Sequence, residues 1–247
     1  MPIEREAHGE VVVLRMAHGP VNALDLELLN DLIAVLAELS EPAPPMVLTG
    51  TGRSFSAGVD LKRITGEGPD YTGAFLRALS TAFLAVFEYP GPSVAAINGH
   101  AIAGGFVFAA ACDHRVAADG GARLGLSEVR VGVPFPTAAI EIVRHAVGTA
   151  LASRYALGAE LVGVREAHGF VDEIVGAELL EHTAAMRARE RAELGAEAYL
   201  LAKRQLQRPV WDNIERHAAV EDAVVAQLWS RAETRDRIQK FMASITE

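Results

Sequence analysis

The chain alternates short apolar runs with amphipathic stretches. VVVLRM at Val11–Met16 is β-branched and predicts a strand that pairs with the segment before the His8-Gly9-Glu10 turn. Across residues 20–40, Leu24, Leu28, Leu32, Val35, Leu36 and Leu39 recur at helical spacing and predict a helix. EPAPP then breaks the chain, and MVLTG at Met46–Gly50 reads as a short buried strand. The loop TGRSFSAGVDLK leads to a helix predicted over 69–88, a buried strand SVAAING, a helix in AGGFVFAAACD and a strand in CDHRVAAD. GARLGLSEVRVGVPFP is irregular with short extended pieces. From Thr137 onward the pattern is almost entirely helical, with breaks expected at Gly148, Gly158, Gly169 and Pro209, and with VDEIV as a short strand or turn. Strands alternating with helices predict an α/β fold of βαβ units followed by a helical appendage.

Half of the 247 residues are hydrophobic, enough for one large α/β domain or one with an appended helical segment. The longest uncharged apolar run, near residues 101–112, is too short to span a bilayer, and the N-terminal MPIEREAHGE has no apolar signal core. A soluble cytoplasmic protein with no membrane partner is expected. The single cysteine, Cys112, excludes an internal disulfide, fits a reducing compartment and reads as a buried core residue. A net charge of −9 without a basic patch argues against a nucleic-acid partner. Gly50-Thr51-Gly52-Arg53-Ser54-Phe55 lacks the last glycine of a dinucleotide loop, and GLSEV lacks the last glycine of a nucleophile elbow. The eight histidines show no metal spacing, so no metal site is expected.

Two glycine-bearing loops each follow a buried strand: SFSAGVD after MVLTG, and INGHAIAGG after SVAA. Glycine lets backbone approach a ligand closely, and the first N–H groups of a helix have no internal partners. The loops are either two ordinary strand-to-helix turns or two donors converging on one oxygen, an oxyanion hole.

FSAGVDLK, AAINGHAIAGG, CDHRVAAD and ARLGLSEVRVGVP, in that order and preceded by PVNAL, resemble the crotonase (enoyl-CoA hydratase/isomerase) superfamily over residues 20 to 175. The resemblance implies a crotonase-like spiral of ββα units over residues 1–190. It also implies a C-terminal helical trimerisation region over 191–247, giving a homotrimer or a dimer of trimers. It implies an acyl-CoA thioester substrate with no separate cofactor, coenzyme A being part of the substrate. The backbone N–H groups of Val59 and Gly104 then form the oxyanion hole. Ala23, Leu24, Ser56, Ala57, Gly58, Asp60, Leu61, Gly105, Phe106 and Ser127 would contact the acyl-CoA, and Asp60 also reads as a helix cap. Lys62 and Arg63 are candidates for its phosphates, and Lys240 and Phe241 for closing the site. The Phe75–Phe87 segment would line a pocket for the acyl tail.

Hydratases of the family carry two glutamates. Here the first position is Val107, and the second is Glu128. One carboxylate suffices to take a proton from C2 and return it at C4 while the oxyanion hole holds a dienolate. The text around AGG also resembles the mitochondrial-type Δ3,Δ2-enoyl-CoA isomerases. The expected activity is therefore conversion of 3-enoyl-CoA to 2-trans-enoyl-CoA, with Glu128 as the base in a pocket walled by Phe106, Val131, Val133, Pro134 and Phe135. Hydratase, other acyl-CoA lyase or hydrolase chemistry, with Glu141 as a displaced second acid, is the alternative, and a non-catalytic acyl-CoA-binding module is the third. On residue type alone, Glu128 reads as a surface acid or cap beside Arg130; the resemblance is what makes it the base.

Overall fold

VVVLRM is apolar at successive positions because its strand is covered on both faces. Val11 and Val13 join a cluster with Val47, Val94, Val116 and Ala184, while Val12, Leu14 and Met16 belong to the main core. The computed structural model describes residues 1–244. Its larger sheet has the order β1-β2-β3-β5-β7-β10. These are Ile3–His8, Val11–Met16, Met46–Gly50, Ser93–Ile97, His114–Ala118 and Glu173–Val175. Only the β1–β2 hairpin is antiparallel; the other pairings are parallel.

A second sheet has the order β4-β6-β8-β9, formed by Ser54–Ser56, His100–Ile102, Arg123–Gly125 and Leu161–Gly163. Here β4, β6 and β8 run parallel and β9 closes the edge antiparallel. The first eight strands come in successive pairs, each pair followed by a helix, which fits the ββα spiral.

Helices α1 (Leu26–Glu38), α2 (Leu61–Glu67), α3 (Pro69–Phe87), α4 (Gly104–Ala111), α5 (Glu128–Val131) and α6 (Thr137–Gly158) connect the strands. The C-terminal region holds α7 (Leu180–Ala192), α8 (Ala196–Trp229) and α9 (Ala232–Ser244). Helix α7 lays Leu180, Ala184, Ala185 and Ala188 on the valine face of the large sheet. Helix α4 is buried at every position, which accounts for its uninterrupted apolar text.

The structure corrects three of the predicted boundaries and bears out a fourth. The first helix begins at Leu26 rather than Pro20, because Asn22 adopts a left-handed φ of 51° and Asp25 caps the helix through Leu28 N–H. Gly148 interrupts α6 as expected, with a positive φ of 75°. Pro209 does not end α8, which continues for 34 residues with buried Gln207 and Val210 on either side of it. Residues 159–179 are mostly strands and short turns rather than helix, with Glu173–Val175 in the large sheet.

Buried Lys203 ties α8 to the body of the molecule. Its ammonium donates to the Tyr89 carbonyl at 2.8 Å and pairs with Asp113 at 2.9 Å. Asp113 also accepts from Tyr199 Oη and from Ser93 N–H, which makes it a structural acid. Cys112 is buried and its thiol is pushed up to about 12 by desolvation, consistent with an inert core residue.

Candidate active site

Three parallel strands of the small sheet end side by side, and ligands of such sheets bind beyond the carboxyl ends of their strands. Strand β4 runs into Ala57-Gly58-Val59, β6 into Ala103-Gly104, and β8 into Ser127-Glu128. Ala103 N–H donates to Gly125 O at 2.9 Å, which fixes the second of these ends against the third. The first two ends touch. A Cβ added to Gly58, whose φ is +84°, would lie 2.8 Å from Ile102 O and 3.4 Å from Gly104 N.

Both candidate donors lack a protein acceptor among the described residues. Val59 forms a single parallel bridge with Leu24, closed by Leu24 N–H to Gly58 O at 2.8 Å and Asp60 N–H to Leu24 O at 2.9 Å. In this pattern the bonds run through the residues flanking Val59, so its own N–H points away from Leu24. It meets no protein acceptor among the described residues. The first intrahelical bond of α4 is Val107 N–H to Ala103 O, which leaves the Gly104 N–H unpaired at a helix N-terminus. Ala103 before it holds φ 53°, ψ −122°, a sparsely populated conformation for a residue with a side chain.

Gly105 answers a packing need. A Cβ there would sit 2.3 Å from Ser56 O, so the close approach of α4 to β4 requires glycine. Gly105→Ala is expected to lower the unfolding free energy by about 1–3 kcal/mol, the usual cost of overpacking, measured by urea denaturation.

Glu128 is the first residue of α5 and 8% exposed. Its Oε2 accepts the Ser127 N–H at 2.8 Å, and among the described residues it has no ion-pair partner. Desolvation pushes its pKa up to about 7, against weaker lowering by backbone bonds. A carboxyl kept near neutrality by burial is suited to proton transfer. The segment after it is held by α8: Trp229 Nε1 donates to Pro134 O at 2.9 Å and Thr137 N–H donates to Asp222 at 2.8 Å.

The remaining sequence candidates fall as follows. Ser56 is buried, its hydroxyl donating to Asn22 O and accepting Gly58 N–H. Ala23, Ala57, Asp60 and Leu61 are half-buried around the Val59 loop, and Asp60 caps α2 by accepting Lys62 and Arg63 N–H. Val131 and Val133 are buried near Glu128 in sequence, with Pro134 and Phe135 half-buried. Phe106 is turned fully into the core, stacked on Phe170 at 3.8 Å between centroids, so its side chain lines no open pocket. Phe83 of α3 approaches Gly104, its Cζ 3.4 Å from an added Cβ. Val107 is buried. Glu141 is occupied structurally, by Arg144 at 2.8 Å and Asn213 at 2.8 Å. Lys62 is exposed, whereas Arg63 is engaged by Glu27, Glu67 and Asp25. Helix α9 packs against both α2 and α5, with Phe241 half-buried and Lys240 paired to Asp236.

Sequence reasoning passed over Asn22, the second residue after Pro20 in PVNAL. Its side-chain amide donates to Ser54 O at 2.9 Å and reaches Thr51 O and Phe55 O, clamping the loop that carries Val59. A lone buried asparagine inside an apolar motif was the available signal.

The family model for enoyl-CoA hydratase/isomerase matches residues 6–244. The chain belongs to this family. The crotonase fold follows: the crystal structure of human mitochondrial Δ3,Δ2-enoyl-CoA isomerase superposes with a TM-score of 0.93, covering 100% of this chain and 98% of that one at 24% identity, a likeness of fold alone. A Thermus thermophilus relative named "Putative enoyl-CoA hydratase" is 40% identical over 160 residues, 62% of each chain. Human mitochondrial enoyl-CoA delta isomerase 1 is 31% identical over 188 residues, 74% of this chain and 62% of the relative. The chain thus matches less than two thirds of the length of these two family members, one named for each reaction. Among the described residues, no helix is long and apolar enough to cross a membrane.

Proposed function

We propose that this crotonase-family protein moves the double bond of a 3-enoyl-CoA to the 2-trans position, with Glu128 as its single proton shuttle. The observation that carries the reading is a buried carboxyl without a cation, at the strand end beside two unpaired backbone donors. The thioester oxygen accepts from Val59 and Gly104 N–H. Ionised Glu128 removes a proton from C2, and the dienolate charge develops on the oxygen those donors face. Glu128 then delivers the same proton to C4. No cofactor beyond the CoA of the substrate takes part. Ala23, Leu24, Ser56 to Gly58, Asp60, Leu61, Gly105 and Ser127 border the acyl-CoA, largely through backbone.

Hydration needs a second group to activate water, and the two places considered for it argue against it. Val107 has no acid, and Glu141 is tied to Arg144 and Asn213. The exposed apolar residues Leu201, Leu206, Val220 and Val224 along α8 support assembly into trimers.

The test is incubation with 3-hexenoyl-CoA and, separately, crotonyl-CoA. Conversion of the first to the conjugated 2-enoyl thioester, without hydration of the second, is the expected result. Rapid hydration of crotonyl-CoA would replace this reading by the hydratase one and make Glu141 the next residue to mutate.

A further inference from the structure

We propose that Asp25 is a positioning residue for the Val59 donor, holding the Leu24–Val59 bridge in place through His18 and Arg63. The proposal rests on the reading of Val59 and Gly104 as the site of the thioester oxygen. The Leu24–Val59 bridge stands outside both sheets; its two hydrogen bonds are flanked on one side by Ala57 N–H to Val21 O at 3.0 Å and by the Asn22 clamp. An oxyanion donor is effective only when held ready at the position where charge develops. The Ala57 N–H and the Asn22 clamp hold the bridge on the side of Asn22, and Asp25 is placed to hold it on the side of α1 and α2.

Asp25 follows Leu24 directly and is 5% exposed. Its Oδ1 accepts Leu28 N–H at 2.9 Å, which anchors the start of α1. Its Oδ2 takes His18 Nε2 at 2.6 Å and Arg63 Nη1 at 3.4 Å. His18 lies on the chain entering the bridge, and its own N–H donates to Asn22 Oδ1 at 3.0 Å. Arg63 lies on the chain leaving it, in the helix that Asp60 caps. One carboxylate thus joins the segment before Leu24, the helix after it and the helix after Val59.

The charged and titratable groups around the junction are consistent with a fixed carboxylate. Arg63 also pairs with Glu27 of α1 and Glu67 of α2, and stacks over the Tyr71 ring of α3 at 4.9 Å. Burial opposes ionisation of Asp25, but the bonds from Leu28 and His18 outweigh it and hold the carboxyl below its ordinary range. None of these groups reaches the substrate in the proposed mechanism; Asp25 acts through Leu24 and Val59.

Asp25→Asn keeps an N-cap acceptor for Leu28 while removing the charge shared by His18 and Arg63. It is expected to lower kcat roughly 10-fold or more, with KM within about twofold, because the loss falls on transition-state stabilisation. The second readout is the carbonyl stretch of bound 2,4-hexadienoyl-CoA in difference infrared spectra. Binding to the unmodified protein should lower its frequency, and Asp25→Asn and His18→Ala should move it back toward the solution value. His18→Gln, which still presents a donor, should restore most of the lowering. If Asp25→Asn loses thermal stability while kcat and the carbonyl frequency stay unchanged, Asp25 is a helix cap and the proposal is overturned. Absence of any lowering in the unmodified protein overturns it as well. A lowered frequency without isomerisation of 3-hexenoyl-CoA removes the reaction reading alone, and the frequency in Asp25→Asn still decides the role of Asp25.

Discussion

Glu128→Gln is expected to cut turnover of 3-enoyl-CoA by roughly 10²–10⁴-fold, the usual contribution of a positioned general base, and yet to make the protein more stable above neutral pH. The two effects share one cause. Desolvation raises the carboxyl from 4.5 to about 7 in the folded chain. The unfolded chain releases this proton near the ordinary value, so between the two values the folded state binds more protons. Stability is therefore greatest below the unfolded value, falls as pH rises toward 7 and is flat beyond it. The loss amounts to about 3 kcal/mol, from roughly 1.4 kcal/mol per pKa step. Glutamine keeps an acceptor for Ser127 N–H and carries no charge, so the variant should regain most of this in urea denaturation at pH 8.5 and little at pH 5. In the unmodified enzyme, kcat/KM should climb through an apparent pKa near 7, because the base must be ionised. A variant that retains isomerase rates, or a flat profile from pH 5 to 9, would remove Glu128 from the mechanism.

Gly58→Ala is the second large effect. A methyl group there meets Ala103 Cβ and Ile102 O, both at 2.8 Å, on a backbone held at φ +84°. Ile102 O is main chain of the small sheet and has little room to yield, so the Val59 loop and the Gly104 loop must separate. Separation spoils the convergence of two donors on one oxygen. Loss of one such donor typically costs roughly 10²–10³ in kcat. The strain itself costs on the order of 1–3 kcal/mol of stability. Single-turnover rates at saturating 3-hexenoyl-CoA, with thermal melts alongside, separate the two. Unchanged kcat in a folded Gly58→Ala protein would mean that the two loops do not act together.

The central strands β2, β3, β5 and β7 of the large sheet were legible because they are covered on both faces and read as apolar runs. The helix start was not. Leu24 matches the helical period of Leu28 and Leu32, but Asn22 is pulled into a left-handed turn by carbonyls about 30 residues away in sequence. No local period encodes that. Pro209 misled in the opposite direction: a helix of 34 residues packed on α6 tolerates one lost backbone bond. At the site, the two glycine loops were visible as motifs, yet only the parallel register of β4, β6 and β8 brings them to Glu128. Glu128 itself was ambiguous beside Arg130 until its burial was known, since an exposed acid and a desolvated base share the same letters. Arg63 was expected to face phosphates, but carboxylates from two helices occupy it.

Among the described residues no cation pairs with Glu128, and this shapes the charge balance of the proposed cycle. In the proposed reaction, the site with substrate bound holds one negative charge, on Glu128. With the dienolate formed, it still holds one, now on the thioester oxygen at the head of α4. Proton transfer relocates one negative charge between two strand ends without changing the total charge inside, so no ion needs to enter or leave as the intermediate comes and goes. In the proposed reaction the chemical step is thus electrically closed, and its rate constant should be nearly indifferent to added salt, even where CoA binding is not.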